Sequence, residues 1–157
     1  MGTLAFNRQA RREYEILKTY EAGMVLKGYE VKSVKSGQIN LKGSYIVIKR
    51  IEGKKAKSLA PFLVKAHIPI YKPAGQKDEY DPYRDRQLLL NRVEISQLIG
   101  KAQEAGLTLI PLKVYTKHNL LKLEIGVGRG KKKFDKREDI KNRDLDRKIN
   151  DLKKRRF

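Results

Sequence analysis

The chain has 157 residues and a formal net charge of +19, from 37 Lys+Arg against 18 Asp+Glu. That length admits one domain with a modest core rather than two. An excess of positive charge this large is self-repulsive unless a polyanion is the partner, so nucleic acid ranks first and an anionic membrane surface second. Cysteine is absent and the only histidines are His67 and His118, which excludes a disulfide framework, a cysteine metal site and the usual zinc motifs.

Residues Met1 to Gln9 lack the apolar core of a signal peptide. Asn7 is placed to cap a short basic helix carrying Arg8, Arg11 and Arg12. Tyr14 to Leu26 reads as a strand without clean alternation, broken by Gly28. Val31 and Val34 predict one short helical turn before Gly37. Ser44 to Ile51 and Phe62 to Tyr71 are rich in β-branched residues and predict two strands, with a solvated turn over Glu52 to Ser58 between them. Residues 72–87 are polar, contain Pro73, Gly75 and Pro82, and predict a long loop. The clearest helix follows Leu88-Leu89-Leu90. Asn91 is its N-cap candidate, Glu94 lies three residues on, Ile95, Leu98, Ile99 and Ala102 form its apolar face, and Gly106 stops it. A hairpin follows, with strands Thr108 to Thr116 and Leu120 to Val127. In the second, Leu121, Leu123, Ile125 and Val127 alternate with Lys122, Glu124, Gly126 and Gly128, the pattern of a half-buried strand. No apolar run approaches the roughly 18–20 residues of a membrane span.

Five or six short strands, one inserted helix and no β-α-β rhythm predict a mainly β fold with flanking helices, a small antiparallel barrel of the oligonucleotide-binding (OB) type, over residues 1–130. Residues 131–157 form a basic tail. The segment 129–157 holds 14 Lys+Arg and 6 Asp+Glu with few apolar residues, so it is expected to be disordered when free. Leu145, Ile149 and Leu152, spaced i, i+4, i+7, share one face should the tail become helical on a partner.

Several groups carry candidate chemistry. Arg129-Gly130-Lys131-Lys132-Lys133 follows the last strand. Its lysines suit phosphates, and its glycines allow close backbone approach. Lys32, Ser33 and Lys35 near a helix start suit phosphate or ribose oxygens. Glu21 and Glu30 are unusual on a basic surface; they either accept hydrogen bonds from bases or make structural ion pairs. Arg84 and Arg86 either grip phosphates or close an ion-paired turn. Asp135 to Asp139 mixes signs, which suits either oriented basic side chains or an exposed helix. Three function classes stay open on these grounds: a non-catalytic RNA-binding adaptor, an RNA-acting enzyme using Glu21 or Glu30, and a ribosomal structural protein. No nucleophile elbow, P-loop or catalytic triad is present.

In order along the chain stand Asn7-Arg8-Gln9-Ala10-Arg11, Tyr20-Glu21-Ala22-Gly23, Gly28-Tyr29-Glu30-Val31-Lys32-Ser33, Ala66-His67-Ile68, Asp81-Pro82-Tyr83-Arg84-Asp85-Arg86-Gln87-Leu88-Leu89-Leu90, Pro111-Leu112-Lys113-Val114-Tyr115, Arg129-Gly130-Lys131-Lys132 and Asp135-Lys136-Arg137. Together these segments resemble the small protein B (SsrA-binding protein) family. The resemblance implies an OB barrel that binds the transfer-RNA-like domain of transfer-messenger RNA and enters stalled ribosomes with it. It implies indirect partnership with elongation factor Tu on the alanyl-charged RNA, a bacterial cytoplasmic location, and neither cofactor nor catalysis. It also implies a tail that folds as a helix in the vacant messenger channel of the small subunit. Glu21, Leu89, Lys122 and Gly130 fall at positions tied to the family's RNA-linked function. With Glu30, Lys32, Ser33, Lys35, Asn40, Lys131 and Lys132 they make the expected RNA-binding set. Asp135, Lys136, Arg137, Leu145, Ile149 and Leu152 are the expected ribosome-engaging tail residues, and Arg12 the decoding-region contact. The chain departs from the family pattern in having Arg12 where many members have His, in Pro69-Ile70-Tyr71, and in a longer loop over 54–61.

Overall fold

The computed structural model describes residues 2–51, 58–71 and 80–131, together with Arg143 and Arg147. Among them seven strands form, wherever β-branched and aliphatic residues can bury one face. They are β1 (Gly2–Phe6), β2 (Tyr14–Met24), β3 (Tyr45–Arg50), β4 (Leu59–Val64), β5 (Arg86–Leu89), β6 (Leu107–Lys117) and β7 (Leu120–Gly130). All neighbours are antiparallel, in the order β1-β6-β7-β2-β5-β4-β3. The helices α1 (Arg8–Glu13), α2 (Gly28–Lys35) and α3 (Arg92–Gln103) flank the sheet. The sheet curls enough that β3 comes back against β6, and α3 packs over β3, β4 and β6. The expected mainly β architecture with flanking helices is therefore borne out. No helix among the described residues is long and apolar enough to cross a membrane.

The inner face of the curled sheet is the core. Tyr20, Ala22, Ile46, Leu63, Leu88, Val114, Leu123 and Ile125 meet there, joined by Val34 of α2 and Leu98 of α3. The outer face is apolar over only part of its area. There Ala10 of α1 packs on Ile110 and Leu112, with Tyr14 and Ile16 beside them. Two glycines of β7 make room for this close packing. A Cβ at Gly126 would lie 2.8 Å from a methyl of Leu112, and one at Gly128 2.9 Å from the Cβ of Tyr14. Asn7 seats α1 by accepting a hydrogen bond from the Ala10 amide (3.2 Å) and donating one to the Pro111 carbonyl (2.9 Å).

The structure departs from the sequence-based expectations at definite places. β1 is a seventh strand that the first nine residues did not announce. The helical turn around Val31 and Val34 is an eight-residue helix, α2, whose start is fixed by Glu30 accepting from the Lys27 amide at 2.9 Å. β4 runs over 59–64 rather than 62–71, because Lys65 takes a φ of 63° and turns the chain out of the ladder. His67 consequently lies not in a strand but in an isolated bridge to Asn40. Arg86 and Gln87, expected in a loop, belong to β5. α3 is capped as expected, Asn91 accepting from the Glu94 amide at 2.8 Å, but its Ala102 is exposed and only Leu98 is fully buried. The hairpin forms as expected around a two-residue turn, His118 and Asn119, both at positive φ (51° and 62°). Residues 52–57, 72–79 and most of the tail, and the readings made of them, lie outside the described residues.

Candidate nucleic-acid interface

Paired residues on neighbouring strands share a face of the sheet, so the register places the candidate residues. One row across the outer face runs Leu89 (β5), Gly23 (β2), Lys122 (β7), Tyr115 (β6), Thr3 (β1). The next runs Glu21 (β2), Glu124 (β7), Lys113 (β6), Phe6 (β1). Their chain neighbours Ala22, Leu88, Val114 and Leu123 enter the core, which turns both rows outward. α1 covers the other part of this face, around Ile110, Leu112 and Gly126. Glu21, Leu89 and Lys122, scattered over a hundred residues of sequence, thus meet on one open surface.

Leu89 is 53% exposed and Leu120 60% exposed. Together with Met24, Leu26 and Val31 they line a groove of about 260 Å³ whose rim carries Lys35 and Lys122. An apolar floor with two lysines in its lining suits stacked bases or sugars flanked by phosphates. Lys32 and Asn40 are exposed but do not line it. The Lys32 ammonium lies over the Tyr71 ring, 5.8 Å from its centre, and the Asn40 side chain accepts from the Lys42 amide at 2.9 Å.

Glu21 is already engaged. The Tyr115 hydroxyl donates to it at 2.6 Å, and the Lys117 ammonium reaches both its oxygens at 3.3 and 3.4 Å. The Tyr115 hydrogen bond, aided by Lys117 and Lys122, holds its carboxyl below the ordinary value against the opposing effect of burial. Burial and the same carboxylate push the Tyr115 hydroxyl upward. Lys113 lies 3.3 Å from Glu124 and over the Tyr115 ring.

Glu30 and Ser33 are internal, which corrects the reading of both as RNA contacts. Glu30 is fully buried. One of its oxygens accepts from Arg84, the other from Nε and Nη2 of Arg86 at 2.9 and 2.7 Å. Arg86, also fully buried, donates further to the carbonyls of Ala66 (2.8 Å) and Pro82 (3.0 Å). Burial alone would raise the Glu30 carboxyl; the Lys27 amide and the two guanidinium groups outweigh it and bring it below the ordinary value. The buried Ser33 donates to the Pro69 carbonyl at 2.7 Å. Of the two readings of Arg84 and Arg86, the ion-paired turn is the one that is built.

Gly130 and Lys131 lie at the far end of β7 from Lys122. Gly130 pairs with Tyr14, and the Lys131 amide donates to the Glu13 carbonyl at 2.8 Å. The chain therefore leaves the sheet beside the end of α1, where Arg11 and Arg12 are exposed. Of the expected RNA-binding set, Glu21, Leu89 and Lys122 share the open face, Lys35 lines the groove, Gly130 and Lys131 stand at this exit, Lys32 and Asn40 are exposed away from the groove, and Glu30 and Ser33 are internal. Lys132, Asp135, Lys136, Arg137, Leu145, Ile149 and Leu152 lie outside the described residues. Sequence reasoning missed Lys113, Tyr115 and Lys117. Their i, i+2 spacing opposite Lys122 and Glu124 is a signal for one shared face, once the two-residue turn sets the register.

Residues 4–155 match the family model described as SmpB protein. Among relatives, the SsrA-binding protein of Persephonella marina is 48% identical over 146 residues, 93% of this chain and 90% of its own length. That of Chloroflexus aggregans is 46% identical over 157 residues, covering 100% of this chain and 94% of its own. A solved structure described as "tmRNA-SmpB: a journey to the center of the bacterial ribosome" contains a similar chain. It matches with a TM-score of 0.62 and 39% identity, over 87% of this chain and 93% of that one. With the match running nearly from end to end, the chain belongs to the SmpB family.

Proposed function

We propose that this protein is a non-catalytic adaptor that binds the transfer-RNA-like domain of transfer-messenger RNA and delivers it to stalled ribosomes in the bacterial cytoplasm. Its alanyl-charged RNA would travel with elongation factor Tu, and its tail would occupy the vacant messenger channel. The observation that carries this reading is the open outer face, which gathers Glu21, Leu89 and Lys122 in two adjacent rows with a basic-rimmed apolar groove. Relatives named SsrA-binding protein and a structural neighbour named for transfer-messenger RNA and the ribosome support it. An enzyme using Glu21 or Glu30 as acid or base is disfavoured. Glu30 is sealed between two arginines; Glu21 is held ionised, so it cannot donate a proton at neutral pH, and its lowered carboxyl, with both oxygens engaged by Tyr115 and Lys117, is a weak base.

Gentle pulldown of the full chain followed by RNA sequencing tests the reading. One RNA species should dominate, and ribosomes should follow only with it. A ribosomal structural protein would instead co-purify at one copy per ribosome under all conditions. Binding to the purified RNA should weaken steeply with salt, each phosphate contact adding roughly −0.7 to −0.9 to the log–log slope. Affinity that does not change between low and moderate salt would rule out the electrostatic basis.

A further inference from the structure

Beside the groove lies a second cavity of about 230 Å³, between β1, β6, β7 and β2, lined by Thr3, Glu21, Lys113, Tyr115, Lys117 and Glu124. It is smaller than the roughly 300–1,000 Å³ of clefts that hold drug-sized ligands, so it has room for one ring system rather than a whole nucleotide. Its lining is also unlike the rest of this basic protein: two carboxylates, two ammonium groups and two hydroxyls. A phosphate would meet Glu21 and Glu124 as like charges and be repelled. A nucleobase, with donors and acceptors along one edge, matches a pocket of both signs.

We propose that this cavity is the pocket for one unstacked guanine of the bound RNA, with Glu124 as its specificity-determining residue and Lys113 as its partner. The proposal rests on the RNA-binding reading above. Guanine alone among the four bases presents two adjacent donors, N1–H and N2–H, beside an acceptor, O6. An ionised carboxylate is acceptor-only and takes such a pair through its two oxygens. Adenine, cytosine and uracil each offer a single donor group on that edge, next to acceptors that a carboxylate cannot satisfy. Glu124 is suited to the task where Glu21 is not. Glu21 already serves Tyr115 and Lys117. Glu124 has an ion pair to Lys113 at 3.3 Å through one oxygen, with its side chain only 20% exposed. It stands on β7, between β2 and β6 in the sheet, so its backbone is held from both sides. The Lys113 ammonium beside it is placed to donate to O6. Phe6, 56% exposed and paired with Lys113 in the same row, offers a face for the ring to stack on.

The test uses the full chain and the transfer-RNA-like domain of the RNA, with each unpaired guanosine replaced in turn by inosine, which lacks the N2 amine. At one position inosine should weaken wild-type binding about tenfold, the size expected for a hydrogen bond to a charged group. Glu124→Gln should bind the unmodified RNA weaker by a similar factor, melt as wild type does, and respond little to inosine at that position. If no single inosine changes wild-type affinity, or if Glu124→Gln loses as much on inosine as wild type does, the pocket is not a guanine site. Either result would leave the RNA-binding reading standing as long as the unmodified RNA still outcompetes an unrelated transfer RNA. Loss of that preference in the wild-type chain would overturn both.

Discussion

Lys122 occupies the centre of the open outer face, with Gly23 on one side of it in the row and Tyr115 on the other. Its chain neighbours Leu121 and Leu123 are buried in the core, so its side chain is turned to the outer face, and Lys122 lines the groove. Replacing it with alanine should therefore leave the fold intact. Lys122→Ala is expected to lower affinity for the RNA across sequence variants and to reduce the salt slope by about one, as read by gel shifts at several salt concentrations. A variant that melts early with its salt slope unchanged would make Lys122 structural. The direction of this side chain was legible in the strict alternation of Leu121, Leu123 and Ile125 with Lys122 and Glu124. The environment of Glu21 was not, because its partners Tyr115 and Lys117 lie about 95 positions away and meet it only once β2 has paired with β7. The two readings left open for Glu30 could be separated only by burial: a carboxylate between two arginines looks the same in sequence whether it faces solvent or the core.

At the scale of elements, the Glu30 cluster ties four places on the backbone together: the start of α2 through the Lys27 amide, β5 through Arg86, and the chain at 66 and at 82 through carbonyls that Arg86 also holds. β5 is short and meets β2 at only two paired positions, Gly23 with Leu89 and Met24 with Leu88. The cluster therefore helps set where Leu89 and the α2 lysines stand. Glu30→Gln leaves buried guanidinium charge without its counter-ion and should destabilise the fold by about 3–5 kcal/mol at neutral pH, measured by denaturant unfolding. The folded carboxyl lies below its ordinary value, so the unfolded chain takes up the proton first on acidification. This contribution is complete above the unfolded value of about 4.3 and is lost as pH falls through the lower folded value. The stability gap between wild type and Glu30→Gln should close over that acid range; a gap independent of pH would show that the ionised form is not what holds the cluster. Local signals made most elements legible, from the caps at Asn7 and Asn91 to the β-branched run of β3 and the β6–β7 alternation. What escaped depended on distant partners. β1 is strand only because β6 offers an edge, and β4 stops at Val64 because of one left-handed residue, Lys65.

For the whole molecule, positive charge is shared between the sheet-bearing part and the tail. Residues 1–128 hold 23 Lys+Arg against 12 Asp+Glu, and residues 129–157 hold 14 against 6. The sheet supplies the open face and the groove; the tail supplies concentrated charge and a few apolar residues. Its few apolar residues are too sparse to build a core, and the described core residues come from the strands, the helices and the connections between them, so removing the tail should cost little stability. The exit point matters equally. The chain leaves β7 at Gly130 and Lys131 against the end of α1, near Arg11 and Arg12 and at the opposite end of β7 from Lys122. Truncation of residues 134–157 is therefore expected to leave affinity for transfer-messenger RNA nearly intact, since Lys131, Lys132 and Lys133 remain, and to abolish peptide tagging on stalled ribosomes. The lost segment carries Asp135, Lys136 and Arg137 and the Leu145, Ile149, Leu152 face. Holding it in one conformation costs on the order of 1–2 kcal/mol per residue, so its ordering on the ribosome requires many simultaneous contacts, as a vacant messenger channel would provide. Gel shift and a reconstituted tagging assay on the same truncated protein separate the outcomes. Loss of affinity in proportion to tagging would make the tail part of the RNA grip. Tagging retained at the full rate would remove the channel from the mechanism, leaving delivery to the sheet face and the α1 arginines alone.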